Sequence, residues 1–135
     1  MAGFPLQGLN ILVVDDDPRV RGLYAIVLRE AGATVTASGT AAEAVQLADL
    51  RPTDVVVTDL RMPGHDGIWL LHQLKSHMPT MPVIVVTGDT EAADEDLSSL
   101  GFAKVLRKPL ILSCLTATVS EVVRRAGCMQ PSSDW

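Results

Sequence analysis

The sequence predicts an open α/β sheet, doubly wound, with helices on both faces of five parallel strands. Two observations carry this. First, Ile11-Leu12-Val13-Val14, Val55-Val56-Val57 and Val83-Ile84-Val85-Val86 are short apolar runs, rich in β-branched residues, that do not alternate with polar ones. A strand with one wet face would alternate, so both faces of these are covered. Second, helical patterns separate the runs. The order is β-α repeated five times, which implies right-handed crossovers.

The elements follow in order. The first strand ends at Val14, and a helix runs from about Pro18 to Ala31. Asp17 can cap it, and Pro18 suits a first helical position, where no N–H is needed. Val20, Leu23, Tyr24, Val27 and Leu28 form its apolar stripe, and Gly32 can end it. Thr34-Val35-Thr36-Ala37 is a weaker strand, as expected nearer an edge. The second helix starts at Thr40 with Glu43 three residues on, a capping-box pattern, and reaches Leu50. After the Val55 run, Ile68, Leu70, Leu71 and Leu74 point inward from a helix over Gly67 to Met78. After the Val83 run a fourth helix spans Thr90 to Leu100, stopped by Gly101. Ala103-Lys104-Val105-Leu106 is the last strand. A fifth helix from Ile111 to Ala126 has Leu112, Leu115, Val119 and Val122 on one stripe, widened by Ile111, Cys114 and Val123.

Composition removes several function classes. A chain of 135 residues, 47% hydrophobic, fits one domain and is too apolar for disorder. With 11 Lys+Arg against 16 Asp+Glu the formal charge is −5, which argues against nucleic-acid binding. No apolar run approaches the roughly 20 residues of a membrane span. Met1-Ala2-Gly3-Phe4-Pro5 lacks the basic and apolar regions of a signal peptide. Cys114 and Cys128, if carried by one helix, would be about 21 Å apart, too far for a disulfide. A reduced, cytoplasmic protein is expected, with Cys114 a small core residue and Cys128 an exposed tail thiol.

In such a sheet, ligands bind at the carboxyl ends of the strands. Asp15, Asp16 and Asp17 follow the first run, Thr58-Asp59 the third strand, Thr87-Gly88 the fourth and Arg107-Lys108-Pro109 the fifth. Carboxylates, a hydroxyl and an ammonium therefore converge on one edge. Crowded carboxylates raise one another's pKa, and a hard divalent cation such as Mg²⁺ relieves that cost. A Lys beside them points to an anionic ligand, most simply phosphate. An Asp can itself take a phosphoryl group as an acyl phosphate.

At these residues the sequence resembles the receiver domain of bacterial two-component response regulators, of the single-domain chemotaxis type. The matching stretches are Ile11-Leu12-Val13-Val14-Asp15-Asp16-Asp17-Pro18, then Asp54 through Gly67 including Thr58-Asp59-Leu60-Arg61-Met62-Pro63-Gly64, then Val85-Val86-Thr87-Gly88, then Lys108-Pro109. The resemblance implies a flavodoxin-like sheet of order 2-1-3-4-5, with a receiver over residues 9–126 between tails at 1–8 and 127–135. It implies that Asp59 is the phospho-acceptor. Asp16, Asp59 and the backbone carbonyl of Arg61 would ligate Mg²⁺ directly, and Asp15 through a water. Thr87 and Lys108 would each contact a phosphoryl oxygen, the Lys108–Pro109 bond would be cis, and Gly67 would let the loop after Asp59 turn.

Three departures stand out. Val105 takes the place of a common aromatic, which excludes a tyrosine-coupled switch. Gly88 stands where Ala is common and leaves access to the phosphoryl site open. The stretch between the fourth strand and its helix is shorter than in the best-known members.

Other residues have plainer readings. His65, His72 and His77 lack the i,i+4 spacing of a paired ligand site and read as solvated; Trp69 lies beside the core stripe. Glu91, Asp94, Glu95 and Asp96 read as a solvated face of the fourth helix. Arg61 and Asp89 stand two residues after Asp59 and Thr87, where their pairing would limit the approach of attacking water.

The expected function is to accept a phosphoryl group from a histidine kinase or histidine phosphotransfer protein onto Asp59. The chain would catalyse its own phosphorylation and dephosphorylation and no separate substrate reaction. It would switch a partner-binding face. The broad apolar surface of the fifth helix reads first as burial within the same domain, with pairing to a second chain, a phosphorylation-dependent dimer, as the alternative. Ten residues follow Arg125, too few for an output domain, so output would pass through protein contact or a second histidine. The alternative reading is a receiver-like interaction module that is not phosphorylated. An aspartyl phosphatase would want an acid where Arg61 stands, and no G-x-G-x-x-G for a dinucleotide follows the first strand.

Overall fold

A computed structural model describes residues 3–90 and 92–128. Five strands alternate with five helices: β1 (Asn10–Val14), α1 (Pro18–Glu30), β2 (Thr34–Ser38), α2 (Ala41–Leu50), β3 (Val55–Asp59), α3 (Gly67–His77), β4 (Val83–Thr87), α4 (Asp94–Leu100), β5 (Lys104–Arg107) and α5 (Leu112–Cys128). All strand pairs are parallel, in the order β2-β1-β3-β4-β5.

The continuous apolar runs are explained by two cores. Ile11, Val13, Val55, Val57, Ile84 and Val86 face α1 and α5, meeting Tyr24, Ala25, Leu28, Leu115, Val119 and Val122. Their neighbours Leu12, Val14, Val56, Val83 and Val85 face α2, α3 and α4, meeting Ala44, Leu70, Leu71, Leu74 and Leu97. Successive side chains on a strand point to opposite faces, so burial on both requires apolar residues at every position.

The helix ends carry their own signals. Asp17 accepts the Arg19 N–H at 2.9 Å and Asp66 accepts the Trp69 N–H at 2.9 Å. After α1, Gly32 takes φ 104°, and the amides of Gly32 and Ala33 return to the carbonyls of Arg29 and Leu28. That pairing satisfies orphan carbonyls and needs a residue at ease in the left-handed region. At α2 only half of the expected capping box forms. Thr40 Oγ1 accepts the Glu43 N–H at 3.1 Å, while the Glu43 carboxylate accepts from Ser38 Oγ at 2.9 Å.

Several expectations are corrected. Within the stretch expected as an N-terminal tail, Leu6 is fully buried in the α1/α5 core, and its amide donates to the Ala31 carbonyl at 2.8 Å. Cys114 is exposed rather than in the core, because Leu115, Val119 and Val122 set the inward face of α5 and Cys114 lies off it. Leu23 is likewise exposed, since Tyr24, Ala25 and Leu28 face the sheet. The helix starting near Thr90 begins only at Asp94, where its N-cap, Ala93, offers no side-chain acceptor. α5 extends two residues past the expected boundary, to Cys128. Glu91, the Cys128 side chain and residues 129–135 lie outside the described residues.

Candidate functional site at the carboxyl edge of the sheet

Each strand delivers its polar residue at its last position or just beyond. Asp59 ends β3 and is paired in register with Val86; Thr87 ends β4, opposite Arg107. Asp15 follows β1, and its amide donates to the Ser38 carbonyl at 3.1 Å, extending the β1–β2 ladder. Lys108 follows β5, its amide donating to the Thr87 carbonyl at 3.0 Å, and its bond to Pro109 is cis.

These residues meet. Asp15, Asp16 and Asp59 each offer a carboxylate oxygen, and those oxygens lie within 4.8 Å of one another. Among the described residues this is the one cluster able to hold a metal ion. Lys108 Nζ lies 3.3 Å from Asp59 Oδ2 and 3.8 Å from Asp15 Oδ2. Asp59 Oδ1 accepts the Leu60 N–H at 2.8 Å, which fixes the carboxylate's orientation.

The acids differ in setting. Asp15 is buried and Asp16 exposed. Burial pushes the Asp15 carboxyl above its ordinary range; the nearby negative charges of Asp59 and Asp16 push the same way, against the Asp17 N–H and the Lys108 ammonium. Three carboxylates beside a single ammonium form a hard-oxygen donor set short of positive charge, which a divalent cation fits.

An open cleft beside the acids is lined by Asp59, Arg61, Thr87, Gly88, Asp89 and Lys108. Thr87 is buried, and its hydroxyl accepts the Asp89 N–H at 2.9 Å. A Cβ placed on Gly88 would meet Lys108 Cβ at 3.6 Å, ordinary contact, so the missing side chain widens the cleft without being sterically required. Gly67 is different. Its Cβ would fall 2.5 Å from the Asp59 carbonyl oxygen and 3.1 Å from Leu60 Cα. The expected role in turning the loop is thus corrected to close approach: α3 begins against the main chain of the acid.

Arg61 bridges the mouth of the cleft, its Nε donating to Asp89 Oδ2 at 2.7 Å. Arg107, not singled out in the sequence, holds the β4–α4 connection. It donates to the Asp89 carbonyl at 2.6 Å, to Asp94 Oδ1 at 2.8 Å and to the Ala92 carbonyl. Asp94 is therefore more than part of a solvated acidic face.

Two further residues belong to the site's surroundings. Tyr24, expected only as core, is buried, and its phenol is pushed up to about 12 by burial and by the charges of Asp15 and Asp59. Arg21 reaches over from α1 to donate to the Asp15 carbonyl at 2.8 Å. The three histidines are exposed and away from the cluster; His65 stacks on Trp69 with ring centroids 3.8 Å apart.

Comparison with known proteins identifies a family for this fold. Residues 11–120 match the family described as response regulator receiver domain. The chain is 30% identical over 123 residues to the probable transcriptional regulatory protein TcrX of Mycobacterium tuberculosis, covering 90% of this chain and 52% of that protein. It is 38% identical over 81 residues to the DNA-binding transcriptional regulator NtrC of Escherichia coli, covering 60% of this chain and 17% of that one. The chain thus spans about half, or less, of these relatives. Among solved structures, a response regulator receiver domain protein from Clostridium thermocellum superposes with a TM-score of 0.84 at 26% identity, over 90% of this chain and 99% of that one. The response regulator TrrA of Thermotoga maritima, in complex with Mg²⁺–BeF, superposes with a TM-score of 0.77 at 28% identity, over 84% and 98%.

Proposed function

The chain belongs to the response regulator receiver domain family, and from that premise we propose that it is a phospho-accepting receiver of a two-component or phosphorelay system, with Asp59 as the acceptor. One observation carries the reading: among the described residues, Asp59 is the acid that joins the cluster, the ammonium and the cleft. It lies in the acidic cluster, 3.3 Å from the Lys108 ammonium, and lines the open cleft.

An oxygen of the ionised Asp59 carboxylate attacks phosphorus of a phosphohistidine on a histidine kinase or phosphotransfer protein. The P–N bond breaks, the electron pair leaves with the imidazole, and an acyl phosphate forms. The Leu60 N–H orients Asp59, Lys108 offsets phosphoryl negative charge, and the Thr87 hydroxyl supplies a hydrogen bond at the cleft wall. In the separate dephosphorylation step, water attacks phosphorus, the acyl P–O bond breaks, and the Asp59 carboxylate and inorganic phosphate are released, with water's proton passing to solvent or phosphate. Asp15, Asp16, Asp59 and the main-chain carbonyl of Arg61 are the residues that would hold Mg²⁺. When bound, the ion supplies the positive charge that three carboxylates and an incoming phosphoryl group lack. The complex of TrrA with Mg²⁺–BeF supports that requirement.

The output is a protein contact whose affinity depends on the state of Asp59. Nothing in the −5 charge favours nucleic acid, and no described helix is long and apolar enough to cross a membrane.

The test is intact-mass measurement after incubation with Mg²⁺ and acetyl phosphate. Wild type gains one phosphoryl group and Asp59→Asn gains none. No gain from acetyl phosphate or from any histidine kinase would instead favour a binding module that works unphosphorylated.

A further inference from the structure

The β1–α1 turn carries three consecutive carboxylates, and its main chain has to be held against their repulsion. Three hydrogen bonds converge on Asp15. Its amide donates to the Ser38 carbonyl at 3.1 Å, and its Oδ1 accepts the Asp17 N–H at 2.9 Å. Its carbonyl, which belongs to the peptide joining Asp15 to Asp16, accepts from Arg21 Nη1 at 2.8 Å.

Arg21 is well placed for this. It lies in the first turn of α1, where its own amide donates to the Asp17 carbonyl at 2.9 Å. Among the described residues no carboxylate pairs with its guanidinium, although acids surround the turn. The cation is used on a backbone carbonyl. Gly39, in the connection after β2, makes room for it. A Cβ there would fall 2.9 Å from Arg21 Nη1 and 3.7 Å from Cζ. The backbone of Gly39 is outside the left-handed region, so conformation does not call for glycine at this position. Space for the guanidinium does.

We infer that Arg21 and Gly39 act together as a positioning device for the cation site: Gly39 leaves the space that Arg21 occupies, and Arg21 fixes the peptide plane between Asp15 and Asp16. That plane sets where the two carboxylates stand relative to each other. Without the guanidinium the carbonyl loses its donor, the peptide is free to rotate, and the ligand oxygens lose their mutual spacing. Arg21 touches neither the cation nor the phosphoryl group; it acts through Asp15 and Asp16. This inference rests on the cation-binding reading of the site.

The test is calorimetric titration of the full chain with MgCl₂, for wild type, Arg21→Ala, Arg21→Lys, Gly39→Ala and the Arg21→Ala/Gly39→Ala double variant, alongside metal-free melting temperatures. Arg21→Ala weakens Mg²⁺ binding about tenfold, the usual loss when a residue orienting metal ligands is removed. Arg21→Lys recovers part of it, because an ammonium can give the same carbonyl one hydrogen bond. Gly39→Ala changes no charge and displaces only the end of a flexible side chain, so the fold survives. It weakens binding in the wild-type background and adds nothing to Arg21→Ala, as expected of residues acting as one unit. Unchanged Mg²⁺ affinity with a lowered melting temperature would make Arg21 merely structural and overturn the inference. So would additive losses in the double variant. If wild type itself binds no Mg²⁺, the cation reading falls first and the inference falls with it. If wild type binds and the variants match it, only the inference falls.

Discussion

Burial of the ionised Asp15 carboxyl costs the metal-free fold stability. The folded carboxyl keeps its proton to a higher pH than the ordinary value of 3.8, first because of burial and then because of Asp59 and Asp16. Between 3.8 and the raised value the folded state binds more protons than the unfolded chain, so metal-free stability falls as pH rises through that window and stays lower above it. Asp15→Asn removes that penalty and retains an acceptor for the Asp17 N–H. In the presence of chelator at pH 7, the variant should melt a few degrees higher than wild type, and the advantage should vanish below the window. Mg²⁺ affinity should fall in the same variant. A melting temperature below that of wild type at pH 7 would show that Asp15 is not under electrostatic strain. Arg61 and Asp89 raise a second issue at this scale. Their ion pair spans the cleft mouth, with the Arg61 side chain largely exposed. Such a pair contributes under about 1 kcal/mol to stability, so its value lies in what it obstructs. If it slows the approach of water to phosphorus, Arg61→Ala and Asp89→Ala should each speed loss of the phosphoryl group by roughly two- to fivefold, the rate equivalent of a change of about 0.5–1 kcal/mol. Rates equal to wild type in both, measured as phosphate release, would end that account.

At the scale of elements, the N-terminal segment is the informative case. Leu6 has no accessible surface and packs among Leu28, Ala31 and the α5 stripe, whereas Leu50 at the end of α2 is exposed. Leu6→Ala should cost ~2–5 kcal/mol in chemical denaturation, and Leu50→Ala less than about 0.5 kcal/mol. Equal, small effects would show that the Leu6 contact contributes little to the fold. The sequence could not disclose this contact, because a lone Leu between Pro5 and Gly8 has no period to read. The strands were legible for the opposite reason: burial on both faces forces an unbroken apolar run, and the chemistry stands at the end of each run. Even so, three runs understated their strands, since Ser38, Asp59 and Thr87 pair in the ladder although they are polar. α4 was misread because what holds its start is not local. Ala93 provides no cap, and Arg107 reaches from β5 to the carbonyls of Asp89 and Ala92 and to Asp94. The contact of Arg21 with Gly39 is hidden for the same reason, since it joins the first turn of α1 to the connection after β2, which only the β1–β2 pairing brings together.

For the whole molecule, charge and stability are linked through one edge of the sheet. The −5 net charge is a sum over the chain, but Asp15, Asp16 and Asp59 concentrate their charge within 4.8 Å, with Lys108 as a close positive partner. The acids come from two different strand ends, so the folded sheet assembles a donor set that the unfolded chain does not possess. A ligand that binds only the folded state stabilises it by RT ln(1 + [L]/Kd), about 1.4 kcal/mol when the free ligand is tenfold above Kd. For a domain of this size that corresponds to a rise in melting temperature of about 5 °C. Wild type should therefore melt progressively higher as MgCl₂ is raised and return to its baseline with EDTA. Asp16→Asn should flatten the response while leaving the metal-free melting temperature close to that of wild type, because Asp16 is exposed. The gain should also shrink on acidification, since protons compete with the cation for the same oxygens and the raised Asp15 carboxyl takes one up before an ordinary Asp would. A melting temperature that rises equally in wild type and in Asp16→Asn would assign the effect to general screening by salt. It would also remove the cation from this edge, leaving the Lys108 ammonium to offset the charge of Asp59.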